Sequence, residues 1–295
     1  MKHILLLAIP LVFGCQTEPA VHISETSIDA PTIAWEIQTS SATWMYQPEA
    51  GGFSHLIDDT GTDWIQFSPA DHPTFPASAA NAYRGLPNLV HRGADHGSGH
   101  PGFAQMSSEI TAPNEITSTS NSGHWRWRWS FHSHFAVLTI ERADSTHPYW
   151  FLYEGPVAGH FSPNTHFWGT EHGGPNISQP NFRGGGSKVF HAQTVYIGDR
   201  SHDRTLFIHQ ITGDSLPDML GYLGNDSTEL AASDGMAVLG FGRSSGAKPS
   251  MTLCQSFIVG VYGGPIEHAS DHDALLQYIR SVVEQSDWEN STPEG

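Results

Sequence analysis

His124-Trp-Arg-Trp-Arg-Trp-Ser-Phe-His-Ser-His-Phe-Ala-Val-Leu-Thr-Ile140 alternates between aromatic and polar residues through its first half. A period of two marks a strand with one buried face, because successive side chains of an extended chain point to opposite sides. The alternation puts Trp125, Trp127, Trp129, Phe131 and Phe135 toward a core, with His124, Arg126, Arg128, Ser130, His132 and His134 on the other side. From Ala136 to Ile140 both sides are apolar, so the strand is expected to run on under cover.

Strand-like runs bounded by turn residues recur outward from this stretch. They are expected at Ile33 to Gln38, Thr43 to Gln47, Phe53 to Ile57, Trp64 to Phe67, Tyr149 to Tyr153, Lys188 to Ile197, Thr205 to Ile211, Met236 to Phe241 and Met251 to Tyr262. Phe53 to Ile57 and Trp64 to Phe67 read as a hairpin around Asp58-Asp-Thr-Gly-Thr-Asp63. The helical exception comes last, where Leu275, Leu276, Ile279, Val282 and Val283 repeat at helical spacing behind a capping box of Ser270 and Asp273. An antiparallel, all-β sandwich with a C-terminal helix is therefore expected, as one domain over residues 31 to 287 with a frayed tail at 288 to 295.

Composition narrows the partners. The 295 residues are 38% hydrophobic, enough for a core. Thirty acids against 13 Lys and Arg give a formal charge of −17, which repels nucleic acid and anionic membrane surfaces. At the start, Lys2, the apolar run Ile4 to Phe13, then Gly14 and Cys15 follow the order of a secretory signal. Val12-Phe13-Gly14-Cys15 also resembles a bacterial lipobox, which would lipidate Cys15 and tether an exported body to the outer membrane through residues 16 to 30; an ordinary signal cleaved nearby is the other reading. Contact with the membrane would then be through the anchor alone. Cys254, left without a partner, is expected to be a buried inert thiol.

Several motifs fail on context. Gly242-Arg-Ser-Ser-Gly246 has the spelling of a nucleophile elbow, but Pro249 and another strand follow where a helix is needed, so a hairpin loop is expected. Gly213-Asp-Ser-Leu216 spells a hydrolase signature without the α/β context it belongs to. His91, Asp95, His96 and His100 have no standard metal-ligand spacing, and no cofactor is called for.

What remains is the polar side of the Trp-Arg stretch. Guanidinium forks bind carboxylate or sulfate bidentately, and neighbouring His exchanges protons near neutrality, so an anionic sugar is the natural ligand; the alternative is a solvated face where Arg pairs with nearby acids. The long loop Pro69 to Pro101 brings Arg84, Asn88, His91 and His100 into one region whose polar ends can line a cleft. In His147-Pro-Tyr-Trp-Phe-Leu-Tyr-Glu-Gly155, Tyr149, Phe151 and Tyr153 fall on one face and Trp150, Leu152 and Glu154 on the other.

Gly51-Gly-Phe-Ser-His-Leu-Ile-Asp58 with Asp63-Trp-Ile65, Tyr83-Arg-Gly-Leu-Pro-Asn88, the Trp-Arg stretch and His147 to Gly155 together resemble uncharacterised exported proteins of environmental bacteria with a galactose-mutarotase-like β-supersandwich, over roughly residues 43 to 262. His147-Pro-Tyr149 is also similar to the His-Pro-Tyr of aldose epimerases, where the histidine is the general acid; their carboxyl-terminal Glu base has no counterpart here. Supersandwich domains occur in polysaccharide lyases, and that resemblance implies an enzyme eliminating across a uronate in an acidic polysaccharide. It would need cations on the carboxylate, a base at C5 and an acid for the leaving oxygen. On this reading Arg128, with Arg84, Asn88 and Arg126, holds the carboxylate, and His134 with Tyr149 or Tyr153 moves protons, with His100 and Glu154 as secondary candidates. The rivals are a non-catalytic glycan-binding lipoprotein and a glycoside hydrolase built on Glu154 and Glu171.

Overall fold

A strand with one aromatic face has to find a second layer to bury it. The computed structural model describes residues 21–68, 80–180, 186–224, 234–264 and 266–285, and within them the patterned segments form antiparallel sheets with one C-terminal helix. The first sheet holds β1 (His22–Thr26), β2 (Ala34–Gln38), β3 (Ala42–Gln47) and β4 (Gly52–Asp58) in chain order.

A nine-stranded sheet is the spine. It contains β5 (Met106–Ala112), β6 (Glu115–Ser120), β7 (Arg126–Phe131), β8 (Phe135–Arg142), β10 (His166–Thr170), β11 (Gly173–Asn176), β13 (Thr194–Asp199), β14 (Arg204–Gln210) and β19 (Ser256–Gly263). Its order is β11-β10-β13-β14-β19-β8-β7-β6-β5. A second four-stranded sheet runs β12-β15-β16-β9, from β9 (Phe151–Gly155), β12 (Lys188–Phe190), β15 (Asp218–Leu223) and β16 (Met236–Phe241). β17 (Arg243–Ser244) and β18 (Lys248–Pro249) make a small hairpin.

Cross-strand register shows which face is which. Trp129 pairs with Leu138, and Leu138 with Phe257, so these three share one face of the nine-stranded sheet. Both smaller sheets pack on that face: Phe53 of β4 meets Trp129 at 4.8 Å between ring centroids, and Phe151 of β9 stacks on Phe257 at 4.3 Å. The opposite face carries Val137 and Ile258, which pack with Leu275, Ile279 and Val282 of α1 (Ala269–Gln285). This explains why β8 is apolar on both sides, one covered by the sandwich and one by the helix. Beyond the helix the same face is open, and there stand Arg126 and Arg128.

The structure corrects the sequence in particular places. His124 to Ile140 is a hairpin of β7 and β8, not one strand, reversing at His132-Ser133-His134, where His132 N–H donates to the Phe135 carbonyl at 2.9 Å. The reversal puts Phe135 under α1, away from the tryptophans. Trp64 to Phe67 is no strand: the Asp63 carboxylate takes the amides of Leu56 and Ile65, and what joins the segment to β4 is the isolated Ile57–Asp63 bridge with single hydrogen bonds from Trp64 N–H to the Leu56 carbonyl and from Phe67 N–H to the Ser54 carbonyl. Lys188 to Ile197 divides between two sheets, since Asp218 accepts the Ala192 N–H and Glu171 those of Gln193 and Thr194 at the break. Residues 22–26, expected in a tether, pair with β2. The helix begins earlier than the Ser270 box, with the Asp271 carboxylate accepting the amides of Glu267 and His268. Cys254 is exposed rather than buried. The signal, Cys15 and the tail at 288 to 295 lie outside the described residues.

Candidate functional site

β9 alternates as its sequence requires. Phe151 and Tyr153 point into the sandwich, while Leu152 and Glu154, with Trp150 just before them, face outward. β9 is the last strand of its sheet, and its free edge is taken by the loop segment 85–89: Gly85 and Glu154 exchange backbone hydrogen bonds at 2.8 and 3.0 Å, and Leu152 N–H donates to the Pro87 carbonyl at 2.8 Å. Gly85 is required there, since a Cβ would lie 2.5 Å from Asn88 Oδ1 and 2.6 Å from the Pro101 ring. Asn88 takes a left-handed backbone (φ 45°), a conformation Asn tolerates better than most residues.

This arrangement opens a cleft over the outer face of the second four-stranded sheet. It has two lobes, of about 430 and 380 Å³, which meet at Tyr83, Glu154, Arg243 and Ala247. Both volumes fall in the range of small-ligand sites, about 300–1,000 Å³.

Glu154 stands at the junction. Burial pushes its carboxyl up to about 7, against the opposing pull of Arg243 and of the amide hydrogen bond donated by Asn88 Nδ2. The Arg243 guanidinium, lowered by burial and raised by Glu154, lies 5.1 Å over the Trp150 ring. His91 stacks on the same indole at 4.7 Å. Burial, reinforced by Arg92, His96 and other cations, holds His91 down at about 4, so it is neutral at pH 7. The Trp150 indole N–H donates to the Asn88 carbonyl at 2.7 Å, tying the loop to the strand. Tyr83 lies on both lobes, its phenol raised by burial and by Glu154 and hence protonated. A carboxyl that titrates around neutrality beside a permanent cation and a phenol is equipped to transfer protons.

Of the residues expected to act, Asn88, Glu154 and His100 reach this cleft. His100 has its ring nitrogens near the carbonyls of Pro101 (2.6 Å) and Tyr83 (3.1 Å); burial lowers it to about 4, so the neutral ring donates its single N–H to one of them and braces the loop. Arg84 is buried beneath the cleft, donating to the Gly235 carbonyl at 2.7 Å and to Gln66. Tyr149 and Tyr153 are core residues whose hydroxyls donate to the carbonyls of Leu253 (2.6 Å) and Trp64 (2.7 Å), and burial drives both phenols far upward.

Arg126 and Arg128 stand on the far side of the nine-stranded sheet. They share Glu141 at 2.8 and 3.1 Å, and Arg128 also pairs with Glu115 at 2.5 Å. His134 is exposed in the β7–β8 turn. His147 Nε2–H donates to the His91 carbonyl at 2.9 Å, and His147 is not among the residues that line the cleft. Glu171 lines a separate groove beside α1, so it does not flank a bond together with Glu154.

Sequence reasoning assigned no role to Tyr83, Trp150 or Arg243. Trp150 carried a signal, since it alternates with Glu154. Arg243 lies inside Gly242 to Gly246, which forms the expected hairpin loop, and nothing in that spelling announces a guanidinium folded over an indole.

No family model and no curated protein matches the chain. Among solved structures it is similar to HI1317, with a TM-score of 0.55 and 13% identity over 89% of this chain and all of the other. It is also similar to galactose mutarotase-like proteins from Lactobacillus casei (TM-score 0.48, 9% identity, 78% of this chain and 100% of that one) and Clostridium acetobutylicum (TM-score 0.46, 9% identity, 84% and 99%). The antiparallel all-β architecture with a C-terminal helix is the one expected, and mutarotase-like proteins stand among its structural neighbours. At these identities the likeness is one of fold.

Proposed function

We propose that the protein is carbohydrate-active at the cleft around Glu154, and that it eliminates across a uronate of an acidic saccharide. The observation that carries this reading is Glu154 itself, a carboxyl raised to about 7 between Arg243 and Asn88. As the carboxylate, Glu154 takes the C5 proton; the C4–C5 double bond forms, the C4–O bond breaks, and Tyr83 gives its proton to the leaving oxygen. Arg243 and Arg92 offset the sugar carboxylate as charge moves onto it. Asn88 positions Glu154, since both hydrogens of its amide are donated, one to Glu154 and one to the Tyr83 carbonyl.

Two further observations favour this reading over its rivals. Glu154 is the one carboxyl among the described residues that line the cleft, whereas hydrolysis calls for two. Trp150 is only 5% exposed, covered by His91 and Arg243, and so presents no open platform to a non-catalytic binder. The fold neighbours named for galactose mutarotase agree with carbohydrate chemistry in general without bearing on elimination. Export and lipidation at Cys15 belong to the same proposal and rest on the leader pattern. Incorporation of labelled palmitate, lost in Cys15→Ser, tests the anchor.

Elimination is tested by following the ultraviolet absorbance of unsaturated uronates while the protein meets a panel of acidic polysaccharides. A rise on one substrate, absent with Glu154→Gln, is expected. Binding without absorbance would reduce the protein to a glycan binder, and new reducing ends without absorbance would mean hydrolysis.

A further inference from the structure

The cleft is not symmetric about Glu154. Trp150, Leu152, Val90 and Phe103 give the larger lobe apolar walls too, but only this lobe adds nitrogenous side chains of its own, among them His91, Arg92 and His96. In the smaller lobe the floor is aliphatic, made of Met219, Leu223, Met236 and Val238. Sheet register explains the second half: Leu223 pairs with Met236, Gly221 with Val238 and Met219 with Gly240, so the outward row of β15 and β16 offers carbon side chains with glycine between them. Apart from the hydroxyls of Ser187 and Ser245 and the groups shared at the junction, no polar or charged side chain among the described residues belongs to this lobe, and its floor, of which Leu223 is the most exposed part, gains by being covered with apolar carbon.

We propose that the ligand is an acidic sugar bearing an apolar substituent, aryl or acyl, with its acid group in the His91–Arg92 lobe, its substituent over Leu223 and Val238, and Glu154 at the junction. This rests on the reading that the cleft binds a saccharide. It adds a substrate class that neither composition nor fold supplies.

The test is calorimetric titration of the intact protein with 4-nitrophenyl and methyl glycosides of glucuronic and galacturonic acid, in both anomers. For at least one sugar the aryl glycoside binds about tenfold or more tightly than its methyl counterpart, the scale set by burying a few carbons. Leu223→Gln removes that advantage and leaves the methyl glycoside within about twofold, while Arg92→Ala weakens both members of the pair. Should Leu223→Gln fail to fold, as judged by circular dichroism, Val238→Thr makes the same test nearly isosterically. Equal affinities for aryl and methyl uronides in every pair, or an advantage that survives Leu223→Gln, overturn this inference while leaving a saccharide cleft. Absence of binding by any of these uronides overturns the saccharide reading itself, and this one with it.

Discussion

The outer face of β7 and the outer face of β9 are built by the same alternation, yet they end in opposite chemistry. On β7, Arg126 and Arg128 look out to solvent and find their counter-ions on neighbouring strands, Glu141 and Glu115. On β9, the half-buried Glu154 stands in the cleft beside the loop that takes the strand's free edge, and desolvation rather than pairing sets its proton affinity. The difference teaches that a row of charges is conspicuous because it is mutually compensated, whereas a carboxyl suited to proton transfer is a single residue made unusual by its surroundings.

The contrast is broken most severely at Glu154. Glu154→Gln is expected to cut turnover on an acidic polysaccharide by about 10²–10⁴, the range of a general base, with the fold retained. Turnover within a few-fold of the parent would take the chemistry away from this cleft. The pH profile sharpens the same point: if Glu154 acts as a base, the rate rises with pH through about 7. Stability runs the other way. A carboxyl raised in the folded state favours folding fully below its ordinary value of 4.5, and that contribution is lost as pH climbs through about 7; Glu154→Gln should therefore flatten this part of the stability curve. Asn88→Ala removes a hydrogen bond to the ionised form, and the limb of the rate profile should move to higher pH; an unmoved limb would free Asn88 of its positioning role.

On the β7 side the expected effects are small. Arg126→Ala with Arg128→Ala should leave turnover within about twofold and cost about 1 kcal/mol of stability, a cost that shrinks in high salt as surface pairs are screened. His134→Ala, in an exposed turn, should change stability by no more than about 0.5 kcal/mol and turnover not at all. A large loss of activity from either would restore the Arg-His face as the site.

Much of the fold could be read from residue periodicity, because burial of Trp127, Trp129 and Phe131 is dictated by a period that survives any topology. The hairpin at His132-Ser133-His134 was not legible, since that tripeptide continues the alternation and carries none of the Gly, Asn or Pro that marks a turn; it is fixed instead from a distance, by the Ser133 carbonyl accepting the amides of Ser40 and Ser41. Edge strands such as β5 and β11 escaped because their residues are largely exposed and lack a buried face. At the site, Asn88 and Glu154 were visible as polar residues in an aromatic and a Gly-Pro-rich setting. Arg243 and Tyr83 were not, for their roles come from contacts across more than sixty residues of chain, which no local pattern records.

The most direct measurement is a side-by-side assay of unsaturated uronate release by the parent protein, Glu154→Gln and the double variant Arg126→Ala/Arg128→Ala on the same acidic polysaccharides. The cleft account expects the parent and the double variant to match within about twofold and Glu154→Gln to be nearly silent. Loss of release in the double variant with activity retained in Glu154→Gln would contradict it.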